Sequence, residues 1–92
     1  MIVSFVDPDT AEFFAGGRVK RFANIATVAQ RKLQQIDSAT VLDALRALPG
    51  NRLEALTGDR RGQHSIRINA QWRICFVWKS DGAHEVEIVD YH

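Results

Sequence analysis

Five arginines in the second half of the chain are the residues best suited to bind a phosphate group. They are Arg52, Arg60, Arg61, Arg67 and Arg73. A guanidinium binds phosphate well because its planar N–H groups can donate two parallel hydrogen bonds. Arg67 and Arg73 alternate with apolar residues, so we expect both on the polar face of one sheet. The alternative interpretation is a sheet face that only keeps the protein in solution.

The tripeptide Asp90-Tyr91-His92 groups three side chains that can take part in proton transfer. Side chains two residues apart on a strand share a face. We therefore expect Asp90 and His92 to cooperate and Tyr91 to point away from them. A frayed polar tail is the alternative.

Glu54 is an acid among basic residues shortly after the Pro49-Gly50 turn. A carboxylate near arginines is ionised and can accept a proton, so Glu54 is a candidate general base. A lone surface glutamate with no functional role is the alternative.

No metal or cofactor site is expected from the sequence. Cys75 is the single cysteine, which excludes an intramolecular disulfide and a cysteine-rich zinc site. We expect it to be an inert, partly buried residue. The histidines lack metal-ligand spacing, and the glycines do not form a phosphate-binding loop.

The first half of the chain has helical signals that would position these groups. Residues 2–6 predict a short opening strand, and Asp7 followed by Pro8 predicts a helix start. Apolar residues at helical spacing predict a helix over 25–36. Thr40 and Asp43 resemble a capping box that would open another helix, which Pro49-Gly50 would end.

The second half has the alternation typical of strands. Segments 64–68, 72–78 and 84–91 predict three strands, and residues 53–56 predict a further short one. Helices followed by an antiparallel sheet give an α+β fold with the helices on one sheet face. The length favours a single domain over residues 1–92.

Charge is distributed in blocks along the chain. Residues 16–49 and 50–79 each have six bases and two acids, whereas residues 1–15 have three acids and residues 80–92 four. A basic middle of this kind could bind a polyanion. A lone cysteine, with no signal peptide and no long apolar run, favours a cytoplasmic protein away from membranes.

The segment from Leu53 to Phe76, together with the ending Val-Glu-Ile-Val-Asp-Tyr-His, resembles the HigB-type toxins of bacterial type II toxin–antitoxin modules. These toxins belong to the RelE/ParE superfamily. The resemblance covers essentially the whole chain and depends on the combination Gly-Asp-Arg, Trp-Arg-Ile and Asp-Tyr-His. It implies a RelE-like α+β domain in which an N-terminal strand and helices pack on one face of a curved, mainly antiparallel sheet.

The resemblance also implies a function: metal-independent cleavage of mRNA in the ribosomal A site. Arg73 matches the family arginine that contacts the scissile phosphate, and Asp90, Tyr91 and His92 match the C-terminal catalytic group. The implied partner is a HigA-type antitoxin with a helix-turn-helix domain, through which the toxin would reach operator DNA. Arginines that would bind the RNA backbone are Arg46, Arg52, Arg60, Arg61 and Arg67.

The sequence departs from some relatives at the reaction centre. Glu54 stands where they have a histidine, and Thr57 replaces a lysine, so Glu54 and Asp90 both remain candidates for the base. Two other functions stay open: inhibition of DNA gyrase, as in ParE-type relatives, and a binding module with weakened catalysis.

Overall fold

The helices of this protein are concentrated in its first half. A computed structural model describes residues 1–91 and places helix α1 at Pro8–Phe14, where the side chain of Asp7 accepts a hydrogen bond from the Thr10 amide at 3.4 Å. A 3₁₀ helix at Lys20–Ile25 leads directly into helix α2, Ala26–Ser38. These bounds confirm the helix start predicted at Asp7 and the helix predicted over residues 25–36.

Helix α3 is shorter than the sequence predicts. It spans only Asp43–Arg46, and no side chain caps its N-terminus. The expected capping box of Thr40 and Asp43 is therefore wrong. The Asp43 carboxylate instead accepts a hydrogen bond from Nε of Arg46 at 3.1 Å, and the N-cap residue is Leu42 in a helical conformation, which differs from the extended conformation usual at an N-cap.

The second half forms an antiparallel sheet of four strands in the order β1-β2-β3-β4. The strands are β1 (Glu54–Ala55), β2 (His64–Arg67), β3 (Trp72–Lys79) and β4 (Gly82–Asp90). The α+β architecture and the predicted strands are confirmed, with their ends shifted by one or two residues.

The N-terminal segment runs parallel to the edge strand β4. Two isolated bridges, Ile2 with Ala83 and Phe5 with Val86, replace the continuous opening strand that the sequence predicts. Between them, β4 has an irregularity at Glu85, whose φ is +52° and whose amide donates to Ser4 Oγ. The irregularity, matched by a register shift on β3, interrupts the ladder.

One face of the sheet packs against the helices. Phe22 and Trp72, for example, meet edge to face with ring centroids 5.9 Å apart. The fully buried residues of this core come from both halves of the chain and include Leu33, Ile36, Ile66, Ile74, Phe76 and Val86. Because strand residues alternate between faces, Arg67 and Arg73 lie on the opposite face. Within residues 1–91, no helix has the length and apolar character needed to cross a membrane.

Candidate active site

Arg67 and Arg73 form the centre of the candidate site. They are directly paired across β2 and β3, and Arg73 is also paired with Val89 of β4. Paired residues in an antiparallel sheet share a face, so both side chains belong to the face away from the helices, as the sequence predicts. Both are half-buried.

The guanidinium of Arg73 donates two hydrogen bonds to other groups in the described part of the chain. Its Nε donates to Ser65 Oγ at 2.7 Å, and its Nη2 donates to the carbonyl oxygen of Arg52 at 2.9 Å. A guanidinium has five N–H donors in a rigid plane. These two bonds fix that plane, and among residues 1–91 the remaining N–H groups have no hydrogen-bond acceptor.

Tyr91 lies on the same face as Arg73. The centroid of its ring is 6.0 Å from the guanidinium carbon of Arg73, at the outer limit of a cation–π contact. The Tyr91 amide donates to the carbonyl oxygen of Gln71 at 2.6 Å, which ties the residue to the start of β3. Tyr91 thus points away from Asp90, as the alternation predicts, and lies on the arginine side of the sheet.

Asp90 is paired with Trp72, which packs on the helix side of the sheet. The alternation of β4 therefore puts Asp90 on the face opposite Arg73. Its Oδ2 accepts a hydrogen bond from Nε2 of Gln71 at 3.1 Å. His92, the predicted partner of Asp90, lies outside the described residues.

Glu54 shares the face of the arginines. It is paired with Ser65 across β1 and β2, and Ser65 is the residue that holds Nε of Arg73. Glu54 is exposed. The predicted base thus lies on the same sheet face as the arginine pair, in the neighbouring row of cross-strand pairs, and is accessible to solvent.

Cys75 is more buried than the sequence predicts. It is paired with Ser65 and Glu87 and has no exposed surface. Burial raises the pKa of its thiol. The neighbouring acid Glu87 accepts a hydrogen bond from Nη1 of Arg60 at 3.3 Å. Arg60 therefore lies on the same sheet face as the arginine pair, with its charge paired to that of Glu87.

The other predicted RNA-binding arginines differ in position. Arg52 is exposed on the loop before β1, and Arg61 is exposed directly after the 3₁₀ helix at Gly58–Arg60. Arg46 is exposed on α3 and forms its described ion pair with Asp43 of the same helix.

Lys32 is a buried cation that the sequence pattern did not single out. Lys32 is 3% exposed. Its burial lowers the pKa of the ammonium group, and the nearby charges of Arg31, Arg67 and Arg73 lower it further. Its Nζ lies beneath the loop that precedes β1, 3.7 Å from where a Cβ on Gly50 would stand. It therefore adds positive potential behind the arginine pair.

Sequence reasoning also missed Ser65 and Asn51. Ser65 could have been identified because it is two residues from Arg67 on the same strand face. Asn51 follows a turn signal, and nothing in its neighbourhood along the chain marks it. Among residues 1–91, no group of three or more His, Cys, Asp and Glu side chains could hold a metal ion.

Comparisons with known proteins agree on one group of relatives. Residues 3–92 match the family described as "RelE-like toxin of type II toxin-antitoxin system HigB". The chain is 36% identical over 80 residues to Toxin HigB-1 of Vibrio cholerae, which covers 85% of this chain and 84% of that protein. It is 39% identical over 61 residues to Endoribonuclease HigB of Proteus vulgaris, covering 66% of this chain and 65% of that protein.

A solved structure has the same fold. A chain in the YoeB-YefM complex from Staphylococcus aureus superimposes with a TM-score of 0.62, covering 100% of this chain and 98% of that chain at 19% identity. At this identity the match supports the fold alone.

Proposed function

The chain belongs to the family of RelE-like toxins of HigB type II toxin–antitoxin systems, and on that premise we propose that it is a ribosome-dependent mRNA endonuclease. The observation that carries the proposal is the guanidinium of Arg73, which Ser65 and the Arg52 carbonyl fix on the sheet face away from the helices. The name of the Proteus vulgaris relative, Endoribonuclease HigB, supports it.

The proposed reaction uses the 2′-hydroxyl of the RNA as the nucleophile. Its oxygen bonds to the adjacent phosphorus while the bond from phosphorus to the 5′-oxygen breaks. A base must take the 2′-hydroxyl proton, a cation must stabilise the charged phosphate oxygens, and an acid must protonate the departing 5′-oxygen. We assign the cation to Arg73, assisted by Arg67, and the acid to His92.

Glu54 is the better candidate for the base. It shares the sheet face of Arg73, whereas Asp90 is paired with Trp72 on the other face. Glu54 is exposed, so its carboxylate is accessible to a bound substrate. We therefore assign proton abstraction to Glu54 and a supporting position at the strand end to Asp90.

Tyr91 and the outer arginines are proposed to bind the RNA. The Tyr91 ring is beside Arg73, where it can stack on a nucleotide base next to the scissile phosphate. Arg46, Arg52, Arg60 and Arg61 would contact phosphates of mRNA or ribosomal RNA. Such contacts release counterions, so affinity for the ribosome should fall steeply with salt.

A toxin of a type II module has an antitoxin as its partner. We propose a HigA-type antitoxin with a helix-turn-helix domain, through which the complex would bind operator DNA and repress its own operon. An acidic antitoxin segment would neutralise part of the arginine-rich face. The site of action would be the cytoplasm, where translating ribosomes are found.

The deciding experiment is induction of the protein in growing bacteria followed by mapping of mRNA 5′ ends. Cuts at fixed positions within codons are expected from the wild-type chain and not from Arg73→Ala. Arg18→Ala, which removes an exposed arginine from a loop in the helical half, is the matched control and should still cut. Double-strand DNA breaks would instead support gyrase inhibition. The absence of both mRNA cuts and DNA breaks would support a binding module.

A further inference from the structure

The loop of residues 49–52 supports both central arginines through two consecutive carbonyl groups. The Asn51 carbonyl accepts a hydrogen bond from the Arg67 amide at 2.6 Å, and the Arg52 carbonyl accepts one from Nη2 of Arg73 at 2.9 Å. The position of the Arg73 guanidinium therefore depends on the conformation of this loop.

The loop has a backbone conformation that Arg52 does not favour. Gly50 has a φ of +77° and Arg52 a φ of +46°. Positive φ is accessible to glycine, but for a residue such as arginine it is uncommon and persists when the surroundings enforce it. The direction of the Arg52 carbonyl thus requires an anchor elsewhere in the loop.

The side chain of Asn51 supplies that anchor. Asn51 is fully buried, and its Nδ2 donates both to Oε1 of Gln35 on α2 and to the carbonyl oxygen of Leu45 on α3, each at 3.1 Å. The bond to Leu45 is buried and the bond to Gln35 partly buried, and both are costly to lose because the fully buried Asn51 amide cannot replace them with water. Asn51 therefore fastens the loop to two helices.

We propose that Asn51 and Gln35 are positioning residues that hold the Arg73 guanidinium in place for cleavage. Neither residue contacts the RNA in this scheme; both act through the carbonyl of Arg52. The inference depends on the proposed function, since Arg73 is the phosphate-binding group of that reaction. Fixed donors stabilise a developing charge without reorganising during the reaction, and small displacements are expensive in rate.

Gln35→Met is the informative variant, because it removes the Oε1 acceptor from a half-buried side chain of similar size. Asn51→Ala would leave a cavity beneath the loop and could unfold the protein. The matched control is Gln30→Met, one turn and a half earlier on α2, where the amide donates to the carbonyls of Phe13 and Phe14 instead. Gln35→Glu keeps an acceptor for Asn51 and serves as the conservative variant.

The activity test measures single-turnover cleavage of mRNA on ribosomes at saturating ribosome concentration. Gln35→Met should lower the rate about tenfold, with little change in ribosome affinity, whereas Gln30→Met and Gln35→Glu should stay within about twofold. In an Arg73→Ala background, Gln35→Met should have no further effect, since the group that it positions is gone. An equal fractional loss with and without Arg73 would overturn the proposal.

A second measurement does not require activity. In ¹⁵N NMR spectra, the Arg73 Nη–H signals, assigned by their absence in Arg73→Lys, should exchange with solvent faster in Gln35→Met and not in Gln30→Met, because Nη2 is the group that the Arg52 carbonyl holds. Unchanged exchange in Gln35→Met would overturn the inference even if the wild-type protein cuts mRNA. A wild-type protein that cuts no mRNA would overturn the proposed function, and the exchange data would then still decide whether the anchor holds the guanidinium.

Discussion

Arg73 and Ser65 lie on adjacent strands, and the Ser65 hydroxyl accepts the hydrogen bond from Arg73 Nε at 2.7 Å. Ser65 itself has no exposed surface, so the hydrogen bond that orients the arginine is made to a hydroxyl shielded from water. A guanidinium whose orientation is set before substrate arrives loses less conformational entropy on binding a phosphate. This relationship makes the effects of substitutions at the two positions predictable and unequal.

Arg73→Ala should lower mRNA cleavage by on the order of 10²–10³-fold, the usual effect of removing a group that stabilises a developing oxyanion. Arg73→Lys should not restore the rate, because an ammonium group lacks the planar donors that reach Ser65 and the Arg52 carbonyl together. Ser65→Ala should cost less, about tenfold, since Nη2 keeps its carbonyl partner. The measurement is the cleavage rate on isolated translating ribosomes, and full activity in Arg73→Lys would contradict the assignment.

Glu54→Gln and Asp90→Asn should separate the two candidates for the base. Removal of a general base costs about 10²–10⁴-fold, and we expect this loss at Glu54, which shares the face of Arg73. Asp90→Asn should change the rate by less than about tenfold, because the altered residue lies across the sheet. Glu12→Gln, at an exposed position on α1, is the control. The opposite ranking of Glu54 and Asp90 would transfer the base to Asp90.

Much of the fold follows from local sequence signals. The period of 3.6 in α2 and the alternation in β2, β3 and β4 predict those elements because each buries one face against a common core. Thr40 with Asp43 misled because a capping box depends on the backbone conformation that precedes the helix, and here the nearby Arg46 bonds the Asp43 carboxylate. A local sequence signal does not reveal which of two competing partners the Asp43 carboxylate will bond.

The site was less predictable because it depends on strand register. Alternation correctly separates Asp90 from Tyr91, but which of them faces Arg73 is decided by the pairing of Arg73 with Val89. A shift of one residue would exchange the two faces, and periodicity in a single strand does not reveal it. The contact between Asn51 and Gln35 joins residues 16 positions apart, which no local pattern encodes.

Tyr91 should contribute through its ring. Its hydroxyl is not assigned a step, so Tyr91→Phe should retain cleavage within about threefold, whereas Tyr91→Leu should lose about tenfold or more because base stacking is worth on the order of 1–3 kcal/mol. Both variants keep the backbone bond from residue 91 to the Gln71 carbonyl. Cleavage rates on ribosomes at saturating concentration test this, and a large loss in Tyr91→Phe would mean that the hydroxyl itself takes part.

Lys32 should reduce the stability of the fold at neutral pH. Burial lowers the pKa of its ammonium group below the usual 10.5, so the folded protein bears the cost of a confined charge wherever the lysine remains protonated. As pH rises past the lowered pKa, the folded lysine releases its proton while the unfolded chain still binds one. Stability therefore rises with pH until the unfolded lysine also titrates near 10.5.

Lys32→Met should accordingly be more stable than the wild type at pH 7, by about 1 kcal/mol, and the difference should shrink as pH approaches the unfolded pKa. Urea unfolding at a series of pH values measures both effects. Lys20→Met makes the same substitution at an exposed position and should change neither the stability nor its pH dependence. A gap between Lys32→Met and the wild type that stayed constant to alkaline pH would show that packing, and not charge, sets the difference.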